Sequence, residues 1–345
     1  MQHELRSPTA LLGEDGTVLE EGWARQPFWI YDRKKIRASP FRIKEWDYYS
    51  IVSGDQRFGI SLTMSDLGYA GLFAICFLDF ETRSFHQVDT LSVLPLGRTG
   101  FPSGSDEGRI AFGDKKLSME FVYGKGVRSL SFKAPGLKNA HGNEGIEGTV
   151  ALAQSPELES MNIATSWTEN RKAFYYNRKI NCMPASGGFS IGKRLYRFDP
   201  ANDSGGLDWG RGRWTYVNRW YWGSGSGKVE GVPFGWNIGY GFSDRTRASE
   251  NALFYAGKAH KLDEVTFHID SNDYSKPWRF SSSDGRFEMD FHPLVDRRST
   301  TALGPIKSVQ HQVFGEYSGT AILDDGKKIQ LVRFLAFAED VYNRW

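Results

Sequence analysis

The chain has 345 residues, 40% of them hydrophobic and 24% charged, which is enough for two domains of ordinary size. Its 43 Lys and Arg residues nearly balance its 41 Asp and Glu residues, so the charge gives no reason to expect nucleic acid or an anionic membrane as a partner. No run of roughly 20 apolar residues is present, and Met1–Ser7 is too polar to begin a signal peptide, so we expect a cytoplasmic protein without a membrane span. Cys76 and Cys182 are too few for a disulfide framework or a four-cysteine zinc site, and no metal is expected.

The aromatic and glycine content predicts an all-β fold. The chain contains 11 Trp, 15 Tyr, 24 Phe and 38 Gly, and aromatic residues favour half-buried strands while glycine suits turns and bulges. Segment 108–134 is predicted to form strands broken at Gly113 and at Gly124. Apolar and polar residues alternate in 264–269 and 286–292, which is typical of strands with one buried face.

Turn and helix signals complete the pattern of predicted elements. Asp–Gly pairs at 15–16, 284–285 and 325–326 predict tight hairpins. Only Thr63–Leu67 and Phe334–Asn343 are candidates for short helices, and no apolar spacing persists over four helical turns. Doubly wound and (β/α) barrel folds need longer helices between their strands, so the sequence excludes them.

The chain divides most naturally at a turn-rich polar stretch. Pro200–Gly206 separates two series of strand-like segments, and a charged segment precedes the first series. We therefore predict an N-terminal segment (1–37) and two lipocalin-like antiparallel β-barrel or sandwich domains (38–205 and 206–345), packed side by side. A single large β-sandwich is the alternative.

The richest candidate site lies between Asp208 and Trp222. If Gly212–Tyr221 is one strand, its Trp, Tyr and Asn side chains share a face and line a pocket with flat apolar walls and few polar anchors. The alternative is a packed barrel core in which Asn218 is hydrogen-bonded internally. The candidate substrate-binding residues of this segment are Arg211, Trp214, Tyr216, Asn218, Trp220 and Trp222.

A second candidate face runs along Tyr175–Asn181. Tyr175, Asn177, Lys179 and Asn181 alternate with Tyr176, Arg178 and Ile180, and such a polar face is costly to bury without partners. It therefore predicts either a solvent-exposed face or the polar wall of a binding cavity. In a cavity, Lys179 would act as an acid or a base, whereas an exposed edge-strand lysine is the alternative.

Acidic residues supply further candidates for proton transfer. Asp208 lies within the aromatic segment, and Glu250 interrupts an otherwise apolar stretch, as does Asp66. Paired carboxylates can perform acid–base or glycoside chemistry, but capping of a turn is the alternative for Asp66 and Glu250. Gly223–Lys228 departs from a phosphate-binding loop because Val229 follows the lysine, so a flexible hairpin or rim loop is expected there.

Five long segments resemble a bacterial family that is described as a domain of unknown function and numbered 2804. They are Tyr175–Pro184, Trp209–Gly227, Phe234–Phe242, Glu250–Tyr255 and Phe337–Trp345. The chain is more distantly similar to the paired lipocalin-like folds of carotenoid hydratases, in its Trp- and Gly-rich strands and in a closing hairpin at Leu323–Lys327. This second resemblance implies a fold and, more weakly, a reaction class.

Three functions fit these features. The first is a cofactor-independent hydratase, isomerase or cyclase that acts on an apolar or amphipathic small molecule in an aromatic cavity, with Lys179, Asp208 or Glu250 transferring the proton. The second is a non-catalytic small-molecule binding protein with the same pocket. The third is a carbohydrate-active protein, which requires an open Trp-lined groove with two facing carboxylates.

Overall fold

The computed structural model describes residues 2–345, and strands make up almost all of its regular structure. The first half contains β1 (Thr9–Ala10), β2 (Gly22–Ala24), β3 (Trp29–Ile30), β4 (Ile43–Ser53), β5 (Phe58–Asp66), β6 (Ala70–Asp79), β7 (Ser84–Val93), β8 (Gly108–Gly113), β9 (Ser118–Gly124), β10 (Val127–Lys138), β11 (Glu144–Ala153), β12 (Met161–Trp167), β13 (Asn170–Ile191), β14 (Arg194–Phe198) and β15 (Ser204–Arg213). The second half contains β16 (Val217–Val229), β17 (Val232–Tyr240), β18 (Ala252–Tyr255), β19 (Lys258–Lys261), β20 (Val265–His268), β21 (Trp278–Ser282), β22 (Phe287–Leu303), β23 (Ile306–Ile322) and β24 (Lys328–Arg344). Two 3-10 helices span Arg33–Lys35 and Pro40–Arg42.

Two antiparallel sheets contain nearly all of these strands. The first sheet has the order β7-β6-β5-β4-β15-β13-β11-β10-β9-β8, with β12 and β14 also paired to β13, and β2 paired to β12. The second sheet has the order β19-β18-β17-β16-β24-β23-β22-β21-β20. The hairpins at 284–285 and 325–326 join β21 to β22 and β23 to β24, as predicted, and Gly285 and Gly326 both adopt the positive φ that such turns require.

Each sheet curls so that its distant strands approach one another. In the first sheet, Thr90 Oγ1 of β7 donates a hydrogen bond of 2.7 Å to Asp114 Oδ2, which directly follows β8 at the opposite end of the strand order. In the second sheet, the backbone N–H of Phe267 in β20 donates to the hydroxyl of Tyr240 in β17 at 3.2 Å. Each curled sheet encloses its own apolar core. The prediction of two lipocalin-like β-barrel or sandwich units side by side is confirmed.

Both predicted helices are strands. Thr63–Leu67 falls largely within β5, and Phe334–Asn343 lies inside β24. The prediction was wrong because β24 pairs with β16 on one side and with β23 on the other, so extended backbone satisfies its hydrogen bonds on both edges. In residues 2–345, no helix is long and apolar enough to cross a membrane.

The chain passes from the first sheet to the second between Arg213 and Val217. β15 begins at Ser204 and pairs with β4 and β13, so it belongs to the first sheet even though it follows the turn at Pro200. The predicted domain limits, 38–205 and 206–345, stay a prediction.

The two sheets pack against each other through a shared layer of aromatic and aliphatic side chains. One part of this layer contains Tyr175 of β13 and Trp214, which directly follows β15, with Phe254 of β18. The other part contains Tyr48 with Trp222 and Phe337. In β13 a bulge with Cys182 at φ 60° shifts the register against β15, next to this layer.

Candidate functional site

A cavity of about 190 Å³ lies between the two sheets. An apolar cavity of roughly 150 Å³ is large enough to hold benzene, so this space accommodates a small organic group. Its lining combines seven large aromatic side chains with a cluster of ionisable groups. The residues are Trp46, Tyr48, Thr63, Ser65, Leu67, Leu72, Asn177, Lys179, Asp208, Trp214, Trp220, Trp222, Phe242, Glu250, Arg297, Gln310, Gln312, Glu339 and Trp345.

Lys179 and Asp208 form an ion pair on the first sheet. The two residues are direct cross-strand partners on β13 and β15, and Lys179 Nζ lies 2.7 Å from Asp208 Oδ1. The ammonium group also sits 4.0 Å from the centre of the Trp222 ring, which adds a cation–π contact from the second sheet. Asn177 Nδ2 is 3.4 Å from the same Asp208 oxygen. The pair is therefore fixed in place at the edge of the cavity.

Glu250 is a buried carboxyl with a free oxygen. It is 4% exposed, and its Oε2 atom has no hydrogen-bond partner among the described residues. Its other oxygen packs against Gly239, where an added Cβ would lie 2.2 Å from Oε1. Burial raises the pKa of Glu250, the nearby Asp208 carboxylate acts in the same direction, and the Lys179 ammonium opposes them. These conditions favour the protonated form, which is a proton donor.

Glu339 is a second buried carboxyl, held by two donors. Trp220 Nε1 donates to its Oε1 at 2.8 Å, and Gln312 Nε2 donates to its Oε2 at 3.0 Å. Burial raises the pKa of Glu339 to about 7, although the Trp220 hydrogen bond and the Lys179 ammonium act in the opposite direction. A carboxyl group with this pKa gains and loses its proton near neutral pH, which suits an acid–base group.

Aromatic rings form the opposite wall of the cavity around Trp214. Its ring centre lies 5.7 Å from those of Trp46 and Trp220, and 5.1 Å from that of Phe242. Trp46 can lie flat on β15 because residue 210 is glycine, where an added Cβ would be 2.1 Å from the indole. Trp46, Trp220 and Phe242 are half-buried, whereas the ion pair and both carboxyls are buried. The cavity thus has an aromatic outer part and a charged inner part.

The structure brings together seven of the residues proposed from the sequence. All three candidate proton-transfer residues line the cavity, and so do four of the candidate substrate-binding residues. These seven are Lys179, Asp208, Glu250, Asn177, Trp214, Trp220 and Trp222.

Tyr216 and Asn218 lie outside the cavity because the predicted strand Gly212–Tyr221 is interrupted. β15 ends at Arg213 and β16 begins at Val217, so the alternation of faces does not continue through the break. Tyr216 is exposed, and its hydroxyl donates to Pro305 O at 2.6 Å. Asn218 is hydrogen-bonded internally, donating to Thr215 O at 2.7 Å, as the alternative reading of this segment predicted.

Three other proposed residues also lie outside the cavity lining. Tyr175 packs behind it, with its ring centre 6.2 Å from that of Trp214. Asn181 joins the two sheets by donating to Ser224 Oγ and to Trp236 O. Arg211 points into the core of the first sheet, where it pairs with Asp47 at 3.0 Å.

Two expectations about local structure need correction. Gly223–Lys228 is not a flexible loop but part of β16, and it is extended because Gly225 packs directly beneath the Trp236 ring. Asp66 caps a turn, as the alternative predicted, since it accepts hydrogen bonds from the backbone N–H groups of Gly68 and Gly97.

Sequence reasoning missed Glu339, Gln312, Arg297 and several aromatic residues of the cavity. The helix predicted at 334–343 obscures Glu339, although Leu335, Phe337 and Val341 occupy alternate positions of one series with Glu339 between the last two. That alternation is a strand signal, and it places Glu339 on the same face as the three apolar residues. No local pattern marks Gln312 or Arg297, since only the pairing of β22, β23 and β24 brings them to the cavity.

The described residues contain no group of three or more His, Cys, Asp or Glu side chains arranged to hold a metal ion. The chemistry that the cavity itself offers is proton transfer. A protonated carboxyl can donate, the Lys179–Asp208 pair holds a carboxylate that can accept, and the indole faces stabilise positive charge as it develops.

Comparisons with known proteins support the fold. CghA solved with Sch210972 is 12% identical, covers 88% of this chain and 89% of its own, and has a TM-score of 0.55. A Nitrosomonas europaea protein assigned as AttH is 12% identical, with 90% and 95% covered and a TM-score of 0.50. Kievitone hydratase from Nectria haematococca is 13% identical, with 87% and 88% covered and a TM-score of 0.47. For CghA and the Nitrosomonas europaea protein, identities this low show similarity of fold alone.

Sequence comparison gives the family directly. No curated protein sequence matches the chain. One family model matches residues 2–345, which is the full described length, and the segments that first suggested the resemblance all lie within it. The chain belongs to the family described as domain of unknown function (DUF2804).

Proposed function

We propose that this protein is an enzyme that acts on an apolar or amphipathic small molecule in the cavity between the two sheets. The reaction class is hydration, isomerisation or cyclisation by proton transfer, with no cofactor required. The observation that carries the proposal is the Lys179–Asp208 pair beside the buried carboxyl groups of Glu250 and Glu339, all bordering one aromatic cavity.

Glu250 is the proposed general acid. Its Oε2 atom has no hydrogen-bond partner among residues 2–345, so a proton on that oxygen is available to a substrate carbon–carbon double bond or leaving oxygen. Positive charge that develops on the substrate would be stabilised by the faces of Trp214, Trp220 and Trp222. Asp208 is the proposed base, with Lys179 holding its carboxylate in position.

The structural similarity to CghA is consistent with this proposal. CghA was solved with Sch210972, so a protein of similar fold takes a small ligand. The low identity leaves the ligand of the present chain to be determined from its own cavity. The mixture of indole rings with Asn177 and Gln310 favours a largely apolar compound that carries a few hydroxyl or carbonyl groups.

The proposal is tested in two steps. Native mass spectrometry of the purified protein first identifies any compound that co-purifies with it. The compound is then incubated with the protein in H₂¹⁸O and, separately, in D₂O, and its mass is followed. Hydration incorporates ¹⁸O from H₂¹⁸O and also deuterium from D₂O, and dehydration lowers the mass by that of one water molecule. Isomerisation or cyclisation through proton transfer incorporates deuterium without ¹⁸O.

Variants then separate catalysis from binding. Glu250→Gln is expected to retain the compound and to lose isotope incorporation at least about 100-fold, because it removes the proton donor. Tyr216→Phe, outside the cavity, is the control and keeps both properties. A compound that binds without exchange in the wild type would indicate a non-catalytic binding protein. A bound sugar cleaved at its glycosidic bond would instead favour the carbohydrate-active alternative.

A further inference from the structure

A narrow passage continues from the cavity into the contact between the two sheets. It encloses about 20 Å³ and is bordered by β4 and β15 on one side and by β16 and β24 on the other. Its polar lining is Asp208 and four serines, and the rest is small or apolar. The serines are Ser50, Ser204, Ser224 and Ser226.

The passage lies between two larger spaces and shares lining residues with each. It shares Tyr48, Asp208 and Trp222 with the cavity. At its other end it shares Val52, Ser226 and Leu335 with a surface cleft of about 330 Å³, which also contains Arg57, Lys228 and Arg333. Asp208 therefore borders both the cavity and the passage, and the other end of the passage borders the surface cleft.

The dimensions of the passage select water as its occupant. A space of about 10–15 Å³ on this measure holds one water molecule, so 20 Å³ admits water and excludes any organic ligand. A buried water also needs two to four polar partners, and the lining supplies them. Asn181 Nδ2 donates to Ser224 Oγ at 2.8 Å, and the Cys182 N–H donates to Ser226 Oγ at 3.0 Å, which leaves both hydroxyl hydrogens free to bind water.

A glycine keeps the passage open at its middle. An added Cβ at Gly206 would lie 3.3 Å from Ile180 O and 3.4 Å from Ser226 Oγ, so a larger side chain would occupy the space beside that hydroxyl. The Gly-Ser-Gly-Ser-Gly sequence of β16 places Ser224 and Ser226 on the same face, towards the passage.

We propose that this serine-lined passage is a water conduit that joins Asp208 to the solvent at the cleft, separately from the half-buried aromatic part of the cavity. The inference rests on the proposed function, because hydration consumes a water molecule after the ligand has filled the cavity. The water oxygen bonds to one alkene carbon, its proton passes to Asp208, and the Glu250 proton is added to the neighbouring carbon. The sum is alkene plus water to alcohol, and return of a proton from Asp208 to Glu250 restores the enzyme.

Crystal structures test the conduit without any knowledge of the ligand. Ordered waters are expected from Asp208 through Ser226 to the cleft in the wild type. Gly206→Val is expected to displace those beside Ser226, and Ser50→Val, which changes a different wall, serves if the first variant does not fold. Gly136→Val is the matched control, since nothing lies within 4 Å of an added Cβ at that glycine. A dry passage in the wild-type crystal would overturn the proposal.

Kinetics provide the second readout once a compound is known. Both passage variants are expected to lower the rate of ¹⁸O incorporation at least about 10-fold with unchanged ligand affinity, whereas Gly136→Val keeps the wild-type rate. Full ¹⁸O incorporation with a crystallographically blocked passage would overturn the conduit and leave the proposed function intact. Ordered waters in a protein that catalyses no exchange would support the conduit and contradict the proposed function.

Discussion

Two buried ion pairs, Arg211–Asp47 and Lys179–Asp208, share β15 and differ in what surrounds them. Arg211 and Asp47 are 3.0 Å apart with both side chains fully buried, and Phe101 and Trp209 cover the guanidinium at 4.8 Å and 4.1 Å from their ring centres. Lys179 and Asp208 are 2.7 Å apart and border a cavity of about 190 Å³. A buried charge marks a candidate site only where open space adjoins it.

The difference arises from strand geometry. Asp208 and Arg211 are an odd number of positions apart on the same strand, so their side chains point to opposite faces of the sheet. One face closes over the core of the first sheet, and the other meets the second sheet. Asp208 and Arg211 are both candidate site residues from the sequence. Only the packing of the sheets shows that Arg211 forms a closed pair with Asp47, whereas Asp208 and Lys179 border the cavity.

The largest expected effect on stability comes from breaking the Arg211–Asp47 pair. Arg211→Leu should lower the free energy of unfolding by about 3–5 kcal/mol, because it leaves the Asp47 carboxyl buried without its partner. Urea denaturation measures the change. The control is Arg109→Leu, which removes an exposed pair with Glu120 and should cost less than about 1 kcal/mol. An equally small loss of unfolding free energy for Arg211→Leu would show that water reaches the core of the first sheet.

Glu339 should make stability depend on pH in a defined direction. Its pKa is about 7 in the folded protein and 4.5 as the ordinary value, so the folded state holds the extra proton between these limits. Stability from this group is therefore fully present below about pH 4.5 and is lost, by about 3 kcal/mol, as pH rises through about 7.

Thermal unfolding from pH 4.5 to 8 tests this dependence. As pH rises, Glu339→Gln should become more stable relative to the wild type, because glutamine stays neutral. Glu147→Gln, at an exposed position, should show no such shift. A pH-independent difference for Glu339→Gln would mean that Glu339 is ionised throughout.

Lys179→Met sharpens the comparison of the two pairs. We expect a loss of about 1–3 kcal/mol in unfolding free energy, less than for Arg211→Leu, because water in the adjoining cavity can solvate the Asp208 carboxylate that remains. A double-mutant cycle with Asp208→Asn in urea measures the coupling between the two residues. A loss as large as that of Arg211→Leu would indicate a dry cavity.

The smallest effect is expected at Tyr216. Tyr216→Phe removes the hydrogen bond to Pro305 O and should cost about 0.5–1.5 kcal/mol in chemical denaturation. Ligand retention and isotope exchange should not change. In contrast, Trp220→Phe removes a donor to Glu339 from the cavity wall and should alter both. Weakened ligand retention in Tyr216→Phe would move the binding site towards the exposed segment.

The sequence predicted much of the fold because its signals are local. Alternation in 286–292 and the Asp325–Gly326 turn depend on neighbouring residues, and the structure has both β22 and the β23–β24 hairpin there. The site depends on non-local pairing: Lys179 and Asp208 were each identified, but their contact requires β13 to pair with β15. The break at 214–216 likewise depends on the crossing between sheets, which explains why Trp214 lines the cavity and Tyr216 does not.

The proposed proton-transfer groups are divided between the two halves of the chain, with Lys179 and Asp208 on one and Glu250 and Glu339 on the other. The proposed acid, Glu250, and the proposed base, Asp208, therefore lie on different halves. If one half moved by one residue along a strand relative to the other, about 3.3 Å, these four groups would no longer be aligned, although the structure within each barrel would be unchanged. Alignment of the halves is therefore itself a requirement for the proposed activity, and we expect substitutions at Phe337, which packs between the sheets outside the cavity lining, to reduce turnover.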